Sequence, residues 1–427
     1  MAPDASGLPS DDGATEITIE VWDNKDFYAN AAQKFEEETG IKVNIINNNV
    51  EDGPSYEEAY VASRERIQAE LMSGKGADIY AGIYLDFTDI GQNKHLCNLA
   101  SWIAADPYFL DDAYYMNILQ SGFDEGDVYS VPLFMMFWAL VPIIEAPELE
   151  GQSLNWEEFF ELTKGIKRSG VLYGITDHRL FTQRFKDRYD SFIDEENRTQ
   201  SLNSPEMVGL LEQCREWSAA GLCIPFDAEN YTEMWERAFF KEYGGGIELL
   251  TNIRFDNPYL NDELYYYDIP SDSGKNDKAN KIFTTDLICI NAASPYKGTA
   301  WRFVKFLLSE DIQLTGDYST PVNRKAAAEV ISKKLTEWIA YNQELWIEYN
   351  KTLTEGIEYY QPDIDPDQAI KETEAILDAV EEISDNDLTD IERIVFNEAK
   401  RYFRNEISVE EAAKNMAAGV ALYFKEQ

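Results

Sequence analysis

Residues 285–324 read TDLICINAASPYKGTAWRFVKFLLSEDIQLTGDYSTPVNR. Leu287 to Ile290 is an apolar run that stops at the turn Asn291-Ala292-Ala293-Ser294-Pro295, as a buried strand does. Trp301, Val304, Leu308 and Ile312 then recur at three- and four-residue steps, which predicts a helix with one buried face. A Thr320-Pro321 corner closes the stretch. A strand feeding a helix in this way is an α/β unit, and the segment carries no catalytic chemistry of its own.

The start of the chain repeats the unit. Ile17, Ile19 and Val21 alternate with Thr18, Glu20 and Trp22, the period of a strand. Phe27, Ala31 and Phe35 predict a helix that ends at Gly40, a good left-handed stop. Ile41 to Ile45 is the next strand, a helix from about Tyr56 to Ser73 follows, and Ala77 to Ala81 is the third strand. Strand–helix–strand–helix–strand implies parallel strands joined by right-handed crossovers.

From about residue 130 the texture changes. Val131 to Trp138 is a dense apolar and aromatic run. Asn155 and Glu158 form a capping box, and Ser204-Pro205 places a cap and a first-turn proline before a helix from Glu206 to Ala220. Gly244-Gly245-Gly246 reads as a tight turn before a strand over 246–250, and 274–280 as a polar hairpin-like loop. Beyond Lys325 come helices rich in Trp, Tyr and Glu, the last opened by Ser408 and Glu411. The division this predicts is a flexible linker over 1–15, an N-terminal α/β lobe of 16–127 plus 284–320, and a C-terminal, helix-rich α/β lobe of 128–283 plus 321–427. Three crossings between lobes would make a hinge.

With 427 residues and 44% hydrophobic content, the chain can fill two cores. Its 37 basic and 79 acidic residues leave a net charge of −42, which argues against nucleic acid and anionic lipid surfaces as partners. No apolar run reaches the ~18 residues of a membrane span. The small polar opening MAPDASGLPSDDGATE is expected to remain after removal of an export signal. Only His95 and His178 occur, without G-x-S-x-G, H-E-x-x-H or a paired Cys/His cluster, so neither an enzyme, a metal site nor a cofactor is expected. A glycosidase carboxylate pair hidden among the acids stays open. Cys214 and Cys289 read as buried small hydrophobes, and Cys214 could reach Cys223 around Gly221. Asp363-x-Asp365-x-Asp367 with Glu374 has the spacing of a calcium loop, but Pro366 interrupts it. Asp365 capping a helix that starts at Pro366 explains those residues better.

Several short motifs follow one another in a recognisable order: Ile17 to Trp22, Lys34 to Val43, Gly76-Ala77-Asp78-Ile79, Tyr129-Ser130-Val131-Pro132, Asn155 to Phe159, and Ile290 to Pro295. Together they resemble, over most of the chain, the bacterial extracellular solute-binding proteins of ABC importers (family 1, carbohydrate type), the family that includes the maltose-binding proteins. The chain departs from that pattern at Pro142-Ile143-Ile144, which stands in place of a tyrosine–asparagine pair, and in its acidic, helix-rich tail. The resemblance implies a two-lobed periplasmic-binding-protein-like (type II) α/β fold. It further implies a carbohydrate, an oligosaccharide in particular, captured between lobes and delivered to an ABC transporter permease. A monomer, extracellular and lipid-anchored or periplasmic, is the form expected.

In such an architecture the loops at the carboxyl ends of strands meet ligand. The expected contacts are Trp22 and Asn24 after the first strand and Tyr84 and Asp86 after the third. Phe134 and Phe137 follow at the first crossover, Asn252 and Arg254 after 246–250, Asp286 (beside Thr284 and Thr285) at the second crossover, and Tyr318 near the third. Aromatic faces suit the C–H face of a pyranose, while Asp, Asn and Arg suit its hydroxyls. Trp22 in the core and Arg254 in a surface ion pair are the competing readings. A cationic or peptide ligand is the alternative that the acidic surface suits.

Overall fold

The computed structural model describes residues 7–22, 24–48, 56–82, 85, 87–109, 113–119, 123–124, 126–142, 154–163, 172–173, 175–224, 240–245, 270–272, 280–316, 319–334, 336–337, 340, 366–378 and 389–426. The chain forms two compact units. The first comprises Met1–Phe137, Gly245–Asn252 and Ile282–Asp387, the second Trp138–Gly244, Ile253–Lys281 and Leu388–Gln427.

In the first unit β1 (Glu16–Val21) lies between β2 (Lys42–Asn47) and β3 (Ile79–Ala81), parallel to both, with Ile19 opposite Ile45 and Ile79. The helices α1 (Lys25–Thr39) and α2 (Tyr56–Met72) are the connections the alternating pattern predicts. Gly40 ends α1 at φ 73°, its N–H donating to Glu36 O at 2.8 Å, a conformation a side chain would strain. The strand Asn280–Ile290 pairs with β3 antiparallel, Ile288 opposite Ala81 and Ile290 opposite Ile79. It starts earlier than the apolar run at Leu287 suggests.

The turn after that strand is held by its own side chains. Asn291 Nδ2 donates to the carbonyls of Lys75 (2.9 Å) and Ala77 (3.0 Å). Ser294 Oγ donates to Asp78 Oδ1 at 2.5 Å, while Asp78 Oδ2 accepts the Thr18 N–H at 2.8 Å. The Asn-Ala-Ala-Ser sequence therefore ties the strand 280–290 to the entry of β3 and to β1. The helix Lys297–Leu307 follows, burying Trp301, Phe303, Val304 and Leu307.

Two assignments differ from the sequence division. Residues 10–14, expected within a linker, dock on the helix Lys297–Leu307: Asp12 accepts the Thr299 N–H (3.0 Å) and hydroxyl (2.5 Å). A helix start has unpaired N–H groups, and Tyr296 at the cap makes no side-chain capping bond, so Asp12 caps it from outside. Residues 321–387 belong to the first unit instead of the C-terminal lobe. Within them, the helix Pro366–Asp378 starts at the proline as expected. It is held by Asn117 Nδ2 on Leu377 O (2.9 Å) and Arg324 on Asp378 (2.5 Å). Asp363 and Asp365 lie outside the described residues.

The second unit is built on helices. Trp156, Phe160, Phe181, Phe185, Met207, Cys214, Val395 and Met416 share one core drawn from the helices Trp156–Thr163, Asp177–Asp187, Pro205–Ala219, Asp390–Phe403 and Val409–Glu426. The Asn155–Glu158 capping box closes reciprocally at 3.0 and 2.9 Å, and Ser204 accepts from Met207 N at 3.3 Å. At Ser408 the hydroxyl accepts from Glu411 N (3.2 Å) and donates to Glu410 (2.9 Å). A buried Arg184–Asp272 ion pair at 2.7 Å joins residues 270–272 to this core. Leu172–Tyr173 pairs in parallel with Cys223–Ile224 and with Phe240–Gly245. Gly244 and Gly245 thus stand in a strand and not in a tight turn, because hydrogen bonding along the backbone overrides their weak strand preference. The segment 246–250 and most of 274–280 lie outside the described residues. All four cysteines are free and buried, so Cys214 and Cys223 form no disulfide.

Candidate functional site

The site is built at the carboxyl ends of β1 and β3 in the first unit. The Trp22 N–H donates to Ala81 O (3.3 Å) and the Gly82 N–H to Leu287 O (3.2 Å). Because 280–290 runs antiparallel to β3, Asp286 and Thr285 stand just beyond those carboxyl ends.

Asn24 occupies the N-cap position of α1 but does not cap it. Its φ of 57° and ψ of 31° are left-handed, and its side chain turns away from the helix. Asn24 Nδ2 donates to Asp286 Oδ2 at 2.8 Å, across 262 residues of sequence. One helical turn on, the Tyr28 hydroxyl donates to Asp286 Oδ1 at 3.0 Å. Asp286 is itself left-handed at φ 51° and only 7% exposed. Asn and Asp are the residues that tolerate this conformation best, yet each such position costs roughly 1–3 kcal/mol and persists where surroundings hold it. Two left-handed residues joined through their side chains form a stiff frame.

Beside the frame, Thr285 is 9% exposed and its Oγ1 is buried with no hydrogen-bond partner among the described residues. Leaving such a hydroxyl unpaired costs ~1–3 kcal/mol. Aromatic rings adjoin the other side: Phe27 meets Tyr28 edge-on at 5.2 Å and Phe134 at 5.3 Å. Phe134 is fixed from behind by Gly316, where an added Cβ would fall 2.6 Å from its Cζ. The fully buried Gln313 holds the same strand, donating to Leu133 O (2.6 Å) and accepting from Asn323 N (2.8 Å).

No protein-family profile and no curated protein matches the sequence. Solved structures do. Maltose-bound MalE3 of T. maritima superposes with a TM-score of 0.54 at 15% identity, covering 96% of this chain and 100% of that one. The ABC substrate-binding protein Lmo0181 of Listeria monocytogenes, in complex with cycloalternan, gives 0.55 at 16% identity over 96% and 99%. An extracellular solute-binding protein family 1 member from Alicyclobacillus acidocaldarius gives 0.52 at 13% identity over 96% and 99%. The fold is that of the two-lobed ABC solute-binding proteins.

On this solute-binding fold the predicted contact residues separate into three groups. Asn24, Asp286 and, through Phe27, Phe134 come together. Trp22 does not join them. It is 1% exposed and packs with Ile67, Leu71, Tyr80 and Cys289, edge-on to Tyr60 at 4.9 Å. The helix α2 covers the face of β1 that carries Thr18, Glu20 and Trp22, so the aromatic ending that strand is core. Tyr84, Asp86, Asn252, Arg254 and Tyr318 lie outside the described residues, as does the side chain of Phe137. Tyr28 is the site residue that the sequence reading passed over. Its signal was its position four residues after Asn24, on the same face of α1.

Proposed function

We propose that this protein is an extracellular receptor that binds a carbohydrate, most simply an oligosaccharide, and hands it unchanged to the permease of an ABC importer. One observation carries the reading: Asp286, Asn24 and Tyr28 form a rigid polar frame beside Phe27 and Phe134 at the carboxyl end of the sheet. That pairing of hydroxyl-binding groups with ring faces is what a sugar requires. It occurs in a fold whose solved examples hold maltose, maltotriose and cycloalternan, and include a cyclic α-maltosyl-1,6-maltose binding protein. Asn24, Phe134 and Asp286 are the contacts proposed within the described residues. Phe137, Tyr84, Asp86, Asn252, Arg254 and Tyr318 are proposed to complete them. Export, a lipid anchor at the membrane surface and a monomeric state belong to the same proposal.

Equilibrium dialysis against maltose, maltotriose and cycloalternan, followed by chromatography of the sugar, tests both halves. Retention of an intact sugar is the expected result. New reducing ends would make the protein a glycoside hydrolase, and retention only of a polyamine or peptide would make it a receptor of the other class.

A further inference from the structure

We propose that Thr285 is a specificity-determining residue of this receptor, its hydroxyl reserved for a hydrogen bond to a ligand hydroxyl. The inference rests on the carbohydrate reading and goes beyond it by assigning one atom. Thr285 Oγ1 is buried without a partner among the described residues, immediately before a residue whose carboxylate is pinned at both oxygens by Asn24 and Tyr28. A strand that needed Thr285 only for packing would be served as well by valine, which has the same shape and no group to satisfy. The frame holds the backbone at 285–286 in one conformation, so the hydroxyl is presented in a fixed place. A hydroxyl both donates and accepts, and so does each hydroxyl of a sugar, so the two are complementary in either direction. The atom is buried. Engagement therefore requires the atoms that bury it to shift, and the ligand then supplies the hydrogen-bond partner.

The test compares Thr285→Val and Thr285→Ser with the parent chain, titrating maltose, maltotriose and cycloalternan by calorimetry and melting each free protein. Thr285→Val is expected to bind at least tenfold more weakly (~1.4 kcal/mol) while melting at the parent temperature or above. Thr285→Ser keeps the hydroxyl and is expected to bind within about threefold of the parent, a difference well under 1 kcal/mol. Parent-like binding by Thr285→Val would overturn the assignment and leave the carbohydrate reading intact. A matched loss of affinity and melting temperature would overturn it too, by making the hydroxyl structural. If the parent chain binds none of the three sugars, the carbohydrate reading fails and the assignment falls with it.

Discussion

Trp22→Ala separates core from ligand contact at the position where sequence left both open. The side chain is 1% exposed and packed against Ile67, Leu71, Tyr80 and Cys289 beneath α2. Truncating a buried aromatic of this size costs ~3–5 kcal/mol, because neighbours collapse only partly into the void. The edge-on contact with Tyr60 at 4.9 Å accounts for about 0.5–1.5 kcal/mol of that. At roughly 2–4 °C per kcal/mol for a domain of this size, the ligand-free variant should melt about 6–20 °C below the parent. Circular dichroism melts without sugar measure the drop directly. A melting temperature within about 2 °C of the parent, combined with a large loss of sugar affinity, would refute the argument and return Trp22 to the binding surface.

Three further outcomes follow from the same structure. Ser10 O sits where a Cβ on Gly298 would fall, so Gly298→Val should lift the N-terminal arm from its helix. Loss of the Asp12 cap then costs ~1 kcal/mol, and limited proteolysis should cut near residues 7–14 faster than in the parent; equal rates would contradict the docking. Burial holds His178 below its ordinary 6.5, with Lys400 and Arg404 adding to it against the Phe396 carbonyl. Burial alone would raise Asp106, but bonds from Lys305, Tyr108 N–H and Trp301 outweigh it and hold the carboxyl below its ordinary 3.8. Both groups are lowered on folding, so their contributions are complete above those values and lost as pH falls through the folded ones. Urea midpoints should therefore drop first below pH 6.5 and again below 3.8, and His178→Gln should flatten the upper step only. Burial also pushes Cys97 up to about 11 and Cys214 and Cys223 up to about 12. Ellman's reagent should find no thiol in the native protein and all four after denaturation without reductant, whereas two would mean a bridge.

The sequence was informative where a local pattern carries the structure. Ile17, Ile19 and Val21 announced β1 by alternation, and the caps at Asn155 and Ser204 and the helix start at Pro366 are read from neighbouring residues alone. Elsewhere the deciding partner is remote. Glu20 looks solvent-facing from its alternation, yet it is 1% exposed, because α2 covers that face and Arg66 and Asn48 satisfy the carboxylate. An apolar run has no direction, so the antiparallel entry of 280–290 beside β3 was not legible. The composition of 1–15 reads as a tether, since nothing near it reveals the open helix start that Asp12 caps. The frame at the site joins residues 262 and 258 positions apart, beyond the reach of any periodicity.

The measurement that bears most directly on the receptor reading is a thermal-shift titration of the parent protein with maltose, maltotriose and cycloalternan, run beside spermidine and a tripeptide mixture. A ligand that binds only the folded state stabilises it by ~2.7 kcal/mol at a hundredfold excess over its dissociation constant. A saturable rise in melting temperature with at least one sugar, and none with the amine or the peptides, is the predicted result. A rise with spermidine or peptide and a flat response to every sugar would contradict the carbohydrate assignment while leaving the solute-binding fold in place.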